Sequence, residues 1–332
     1  MKMVSAYARL LRIPGIGALS IVPVIAALTV GIYDLYNLTL IFIIGAFASI
    51  FGFLINDYID IELDRYVDDL QKNPLVSGEV SKKNALIIAF FLAFSTFFFL
   101  ALLWYNQSID YYKFIGLICI ILAGFLGTFY DIFGKNIVGS DFLVAISVSL
   151  IFLFGALSFG QPNVITWIIF VLTFENILYM NVVQNGIKDA DHDYKLGVKN
   201  IALTLGVKVQ DDKIFIPRSF QAFGLGLRLF SAVLFVVPFI VFEYSYYLWQ
   251  MVLLVLFIIA YLFLDVKLLS IKTFDRNQIR KREEYRNSIL FTIFPCSNNT
   301  IFNRRNPSLH SFNTYTNSVV YFIHTLTQRE IV

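Results

Sequence analysis

Charge is what this chain has least of. Only 15% of its 332 residues are Asp, Glu, Lys or Arg, against about 25% in a soluble domain, while 58% are hydrophobic and the mean hydropathy is +0.72. That balance excludes an ordinary soluble domain and reads as a polytopic membrane protein. Cysteine is nearly absent: Cys119 falls inside an apolar run and Cys296 in the tail, so a disulfide framework has no support. His192, His310 and His324 lack metal-ligand spacing. The net charge of +3, with basic residues beside acidic ones, leaves no nucleic-acid footprint.

What is abundant is apolar sequence, in runs of about 18 to 21 residues that match the length a helix needs to cross the hydrocarbon core. They fall at 16–33, 38–56, 84–104, 113–130, 141–159, 164–184, 223–242 and 247–265. The expected fold class is all-α: a polytopic membrane helical bundle of eight spans and a weak ninth segment. The first run follows Lys2 to Arg12 but exceeds a signal-peptide core and has no small-residue cleavage site, so it reads as a retained helix.

Lys and Arg in the short connections set the orientation. With the N-terminus inside, the inner segments hold Lys2, Arg9 and Arg12, then Arg65, Lys72, Lys82 and Lys83, then Lys135, then Lys188, Lys195, Lys199, Lys208, Lys213 and Arg218. The outer connections hold only Lys113. An integral, multi-pass membrane protein with a cytoplasmic N-terminus and cytoplasmic polar loops follows, and the basic stretch Lys272 to Arg286 joins that side. Residues 1–286 form the expected helical domain. Residues 287–332 are a divergent tail whose apolar stretches, Ile289–Phe294 and Ser318–Leu326, are too short to span.

Two acidic clusters stand where apolar runs stop. The first contains Asn56, Asp57, Asp60 and Asp64, the aspartates three and four residues apart and so on one helical face. The second contains Asn181, Asn185, Asp189 and Asp193, repeating every four residues on another face. Stacked carboxylates repel, and at a membrane boundary they are expensive unless cations neutralise them. A divalent metal site is the simplest reading, and the oxygen-rich donor set suits Mg²⁺ shared with a diphosphate. Arg65, Lys72, Lys135, Lys188, Lys195 and Lys199 are candidates for the remaining charge balance, or simply orient the helices. The loops 57–83 and 187–222 are long enough to cap these sites, with Asn73-Pro74 and Ser77-Gly78 as turns and Ser81 opening the next helix. Each cluster follows the second helix of a block of four, which suggests two four-helix pseudo-repeats around a central cavity. Glu175, about 21 Å of helix before Asp189, reads as a pocket-wall residue, and Asn181 as a second pocket residue.

At this point the chain resembles the UbiA superfamily of intramembrane prenyltransferases. Asn56, Asp57, Asp60 and Asp64, followed by Arg65, match its first signature; Asp189, Asp193, Lys195, Gly197 and Lys199 resemble its second. Tyr130 and Lys135 resemble a Tyr-then-Lys pattern after the fourth helix, and Arg12 before Pro14 the family's first helix. The resemblance covers about residues 5–270. It implies a nine-helix bundle and Mg²⁺-dependent transfer from a polyprenyl diphosphate donor to a small aromatic or glycerol-phosphate acceptor within the lipid. Catalysis would rest on Asp57, Asp60, Asp64, Asp189 and Asp193, with Asn185 added as a metal ligand and Asn56, Arg65, Tyr130, Lys135, Lys195 and Lys199 around the diphosphate. The segment after Arg286 and the loop Lys72-Asn73-Pro74-Leu75-Val76-Ser77-Gly78 depart from the family pattern, the latter from an Arg-Pro-rich version in some branches. A CDP-alcohol phosphatidyltransferase is excluded because residues 50–64 lack an Asp-Gly-x-x-Ala-Arg segment. A transporter using the acidic loops, or an inactive lipid-binding relative, is the alternative; only Glu175 approaches the midplane depth an ion relay needs.

Overall fold

The computed structural model describes residues 2–13, 16–66, 71–241 and 248–283. The sequence expectation for residues 287–332 lies outside the described residues. Two compact units divide the chain between Leu178 and Tyr179.

The first unit carries α1 (Lys2–Leu10), α2 (Ile16–Thr29), α3 (Leu35–Asp64), α4 (Lys82–Leu103), α5 (Tyr111–Phe133), α6 (Asp141–Leu157) and α7 (Val164–Tyr179), whose last residue begins the second unit. Helix starts are written in the sequence. Asp34, Ser81 and Asp110 accept hydrogen bonds from the backbone N–H groups of Asn37, Asn84 and Lys113, each a cap of about 1 kcal/mol. Ser81 thus opens α4 as its position before Lys82 suggests. The expected span 38–56 is part of a longer helix: α3 runs on through Asp64, so the first acidic cluster is its last two turns and not a loop.

Helix packing here depends on small residues, as it must where lipid offers no hydrophobic drive. Pro23 sits inside α2, and a Cβ at Gly45 of α3 would come within 2.9 Å of its Cγ. At Gly155 of α6 the same Cβ would collide with the Pro23 backbone. Only a glycine lets α6 approach so closely. At the far end of α2, the Thr29 and Thr166 hydroxyls share a hydrogen bond of 2.7 Å, and Asn163 donates to the Thr29 carbonyl. A hydrophobic cluster lies by the acidic end of α3, where Ala6 and Leu10 of α1 pack with Leu54, Ile61, Leu75 and Val80. Leu75 and Val80 come from the 71–80 loop, held by Asn73 Oδ1, which accepts from the Leu75 N–H at 2.9 Å.

The second unit continues α7 through a π turn, Met180–Asn185, into α8 (Gly186–Lys188), α9 (Ala190–Leu196), α10 (Ile201–Thr204), strands β1 (Lys208–Gln210) and β2 (Lys213–Phe215), then α11 (Arg218–Val241) and α12 (Leu248–Leu269). The hairpin is the one departure from an all-helical expectation among the described residues. Asp211 and Asp212 both take positive φ, 47° and 57°, which lets two antiparallel strands join through a two-residue turn. The strands are three residues each, short enough for a connection read only as polar loop. Residues 272–274 run beside the hairpin, with the Ile214 N–H donating to the Lys272 carbonyl at 3.0 Å and Phe274 N–H to the Asp212 carbonyl at 2.8 Å. Asp275 then caps a helix over 276–283, accepting from the N–H groups of Asn277 and Gln278.

Among the described residues six helices are long and apolar enough to cross a membrane: Leu35–Asp64, Lys82–Leu103, Tyr111–Asn136, Val164–Lys188, Arg218–Val241 and Met251–Leu269. The other two expected spans appear as shorter apolar helices, Leu19–Thr29 and Asp141–Leu157.

Candidate active site

The first cluster is built on the end of α3. Asp57 and Asp60 are 4% and 7% exposed, an unusual burial for carboxylates, and each meets a cation from elsewhere in its unit. Arg12 Nη2 donates to Asp57 Oδ1 at 2.7 Å, its guanidinium resting 4.8 Å from the Phe53 ring centroid. Lys135 Nζ stands 2.7 Å from Asp60 Oδ1. Asn56 donates through Nδ2 to Asp131 Oδ1 at 3.1 Å. Asp57, Asp60, Asp64, Asn56 and Lys135 therefore belong to one polar end, as their spacing suggests, and Tyr130 is half-buried on the helix that carries Asp131. Arg65 does not join them: its Nη1 donates to Glu62 Oε2 at 3.0 Å on the exposed side of the helix. One residue past Asp64 advances about 100° around the helix, which takes Arg65 off the carboxylate face.

Asp131 was missed in the sequence. It directly follows Tyr130 and precedes Lys135 by four residues, so an ionisable group on the inner face at the end of an apolar run was the available signal.

The second cluster differs from its sequence expectation. Asn181, Asn185, Asp189 and Asp193 do not share one α-helical face, because the π turn at 180–185 inserts an extra residue and the helix breaks at Asp189, where φ is −104° and ψ 6°. Asn185 Nδ2 still reaches Asn181 Oδ1 at 3.5 Å, while its Oδ1 accepts from Lys188 Nζ at 2.8 Å. Lys188 also lies 3.5 Å from Asp189 Oδ2. Asp193 accepts from Asn200 Nδ2 at 2.7 Å, closing the loop in which Gly197 takes φ 69° to end α9. Lys195 and Lys199 are exposed, and Glu175 is 2% exposed within α7.

Arg276 is the second residue missed in the sequence. Its Nη2 donates to Asp191 Oδ1 at 2.7 Å and lies 2.8 Å from His192 Nδ1, its Nε donates to the Lys188 carbonyl at 3.3 Å, and Nη2 is 4.0 Å from Asp189 Oδ1. The run from Lys272 to Arg286 gave only a topological signal.

Among the described residues no three carboxylate, imidazole or thiolate groups converge into a ready metal cage. The carboxylates turn instead toward cations: Arg12, Lys135, Lys188 and Arg276. The donor chemistry nonetheless fits a hard divalent ion, since Asp57, Asp60 and Asp64 project oxygens from one continuous helix end with no sulfur or imidazole among them.

Each unit thus carries an acidic stretch at a helix end matched by basic side chains, Arg12 and Lys135 in the first and Lys188 and Arg276 in the second. The model of the UbiA prenyltransferase family matches residues 18–289, and the chain belongs to that family of prenyl-transferring enzymes. It is 31% identical over 206 residues to 4-hydroxybenzoate octaprenyltransferase of Shewanella frigidimarina, covering 60% of this chain and 69% of that one. With the enzyme of the same name from Vibrio parahaemolyticus it shares 29% identity over 218 residues, 64% and 72% of the two chains. A digeranylgeranylglyceryl phosphate synthase structure superposes with TM-score 0.65 at 20% identity, covering 90% of this chain and 98% of that one. A UbiA homologue from Archaeoglobus fulgidus bound to GPP and Mg²⁺ superposes with TM-score 0.62 at 19% identity, covering 89% and 99%. These two likenesses bear on the fold.

Proposed function

We propose that this protein transfers a prenyl group from a polyprenyl diphosphate to a small aromatic acceptor within the membrane, with Mg²⁺ required. The observation that carries the reading is the first acidic cluster: Asp57 and Asp60, buried at the end of a membrane helix, with Arg12 and Lys135 on them. The aromatic acceptor is favoured over a glycerol phosphate because relatives about 30% identical carry the name 4-hydroxybenzoate octaprenyltransferase.

In this account Asp57, Asp60 and Asp64 would hold one metal ion and Asp189, Asp193 and Asn185 another. When bound, Mg²⁺ supplies Lewis-acid stabilisation of the charge that develops on a departing diphosphate. The chain's own cations do the rest. Lys135 and Arg12 add positive charge beside the same carboxylates and, with Asn56, fix the rotamers that present them. Asp131, through the Asn56 amide, orients that side chain. Lys188, and further out Lys195 and Lys199, meet the diphosphate from the second loop, and Glu175 and Asn181 line the pocket. Residues 1–286 make up the catalytic domain, the acidic helix ends occupy equivalent places in two four-helix halves, and the polar loops face the cytoplasm.

The test replaces single carboxylates in the full-length protein. Asp57→Asn and Asp189→Asn are each expected to lower Mg²⁺-dependent prenyl transfer by at least 100-fold, on the scale of a lost electrostatic contact to the transition state, with unfolding temperature little changed. Turnover within twofold of wild type in either variant would contradict the assignment. Ion-dependent transport without any diphosphate release would favour the transporter reading instead.

A further inference from the structure

Arg276 reaches the second acidic loop from beyond α12, and three features fix it there. The backbone before it pairs with the hairpin at Ile214 and Asp212, Asp275 caps the helix it starts, and Ile279, one turn on, is 2% exposed. Its guanidinium is anchored by Asp191, His192 and the Lys188 carbonyl, and it stands 4.0 Å from Asp189 while remaining 17% exposed.

We propose that Arg276 is a diphosphate-recognising residue of the second acidic loop, with Asp191 as its positioning residue; this rests on the prenyl diphosphate reading above. Asp191 is not one of the two aspartates proposed to hold the metal, yet its Oδ1 accepts from the guanidinium at 2.7 Å. Its effect is to park a planar, permanently charged fork beside Asp189. An arginine in that place keeps its positive charge at any working pH and presents it from a planar group already oriented by the loop, which a flexible lysine does not.

The placement has a consequence with opposite signs for two ligands. A guanidinium near a carboxylate that would hold a divalent ion repels that ion, so Arg276 weakens metal binding when no anion is present. Once diphosphate oxygens lie between them, the same positive charges cooperate. A segment that merely braced the loop would support both ligands equally.

The experiment uses the full-length protein in lipid nanodiscs, with Mn²⁺ alone titrated by electron paramagnetic resonance and geranyl diphosphate titrated in saturating Mn²⁺. Arg276→Gln is expected to bind geranyl diphosphate at least tenfold more weakly, the scale of one charge-assisted hydrogen bond, while binding Mn²⁺ alone as tightly as wild type or more tightly. Arg276→Lys recovers part of the loss and Asp191→Asn shows a smaller loss of the same sign. Arg280→Gln, an exposed cation on the same helix, changes neither titration. Geranyl diphosphate binding within twofold of wild type in Arg276→Gln would overturn the proposal. So would a parallel loss of Mn²⁺ affinity, which marks a structural brace. Wild-type protein that binds Mn²⁺ but no prenyl diphosphate of any length would overturn the underlying reading together with this one.

Discussion

Replacing Lys135 by Met removes the ammonium 2.7 Å from Asp60 Oδ1 and leaves the carboxylate in place. Two unit charges about 4 Å apart attract by about 4 kcal/mol at an effective dielectric of about 20, and by about 1 kcal/mol in water. The Asp60 side chain is 11% exposed but that of Lys135 is 38%, so solvent screening brings the pair toward the lower figure, about 1–2 kcal/mol. Lys135→Met alone costs about 2 kcal/mol, because it leaves the buried Asp60 carboxyl without its cation beside a 4% exposed Asp57. Asp60→Asn in the same background removes that stranded group. The double-mutant cycle, read from unfolding of the purified protein in detergent, is expected to give a coupling of about 1–2 kcal/mol. Donor KM in Lys135→Met should rise about tenfold at the same time, as expected for loss of a cation that meets the diphosphate. A coupling below about 0.3 kcal/mol, the level of independent sites, would refute the idea that Lys135 is what holds Asp60.

Gly155→Ala drives a methyl group into the Pro23 backbone and is expected to destabilise by about 1–3 kcal/mol, whereas Gly226→Ala, with nothing within 4 Å of its Cβ, stays within about 0.5 kcal/mol; thermal unfolding in detergent separates the two. Arg228 and Asp265 are both fully buried, Nε 3.4 Å from Oδ2, with the guanidinium 3.3 Å from the Tyr179 ring centroid. Arg228→Met alone should cost about 3–5 kcal/mol by leaving a buried carboxylate, and Arg228→Met with Asp265→Leu should recover most of it. If the double variant is no more stable than the single one, the pair is not electrostatically coupled.

The acidic end of α3 was legible because its information is local: an apolar run that stops, then aspartates at helical spacing. Ser81 was legible for the same reason. The register of the second cluster was not, since one inserted residue at 180–185 leaves composition and hydropathy unchanged while turning every later side chain by about 100°. Arg276 and Asp131 were hidden differently. Their meaning comes from partners 85 and 75 residues away in sequence, Asp191 and Asn56, and no local pattern encodes that distance. Gly155 carries the same lesson for the fold, because its close approach to Pro23 follows from tertiary packing and a lone glycine in an apolar helix gives no sign of it.

The most direct measurement takes purified protein in lipid with a labelled polyprenyl diphosphate, a panel of aromatic and glycerol-phosphate acceptors, and either Mg²⁺ or EDTA. The account predicts a prenylated aromatic product that forms with Mg²⁺ and disappears with EDTA. Diphosphate release at the same rate with and without Mg²⁺, or no release with any donor length or acceptor, would contradict it.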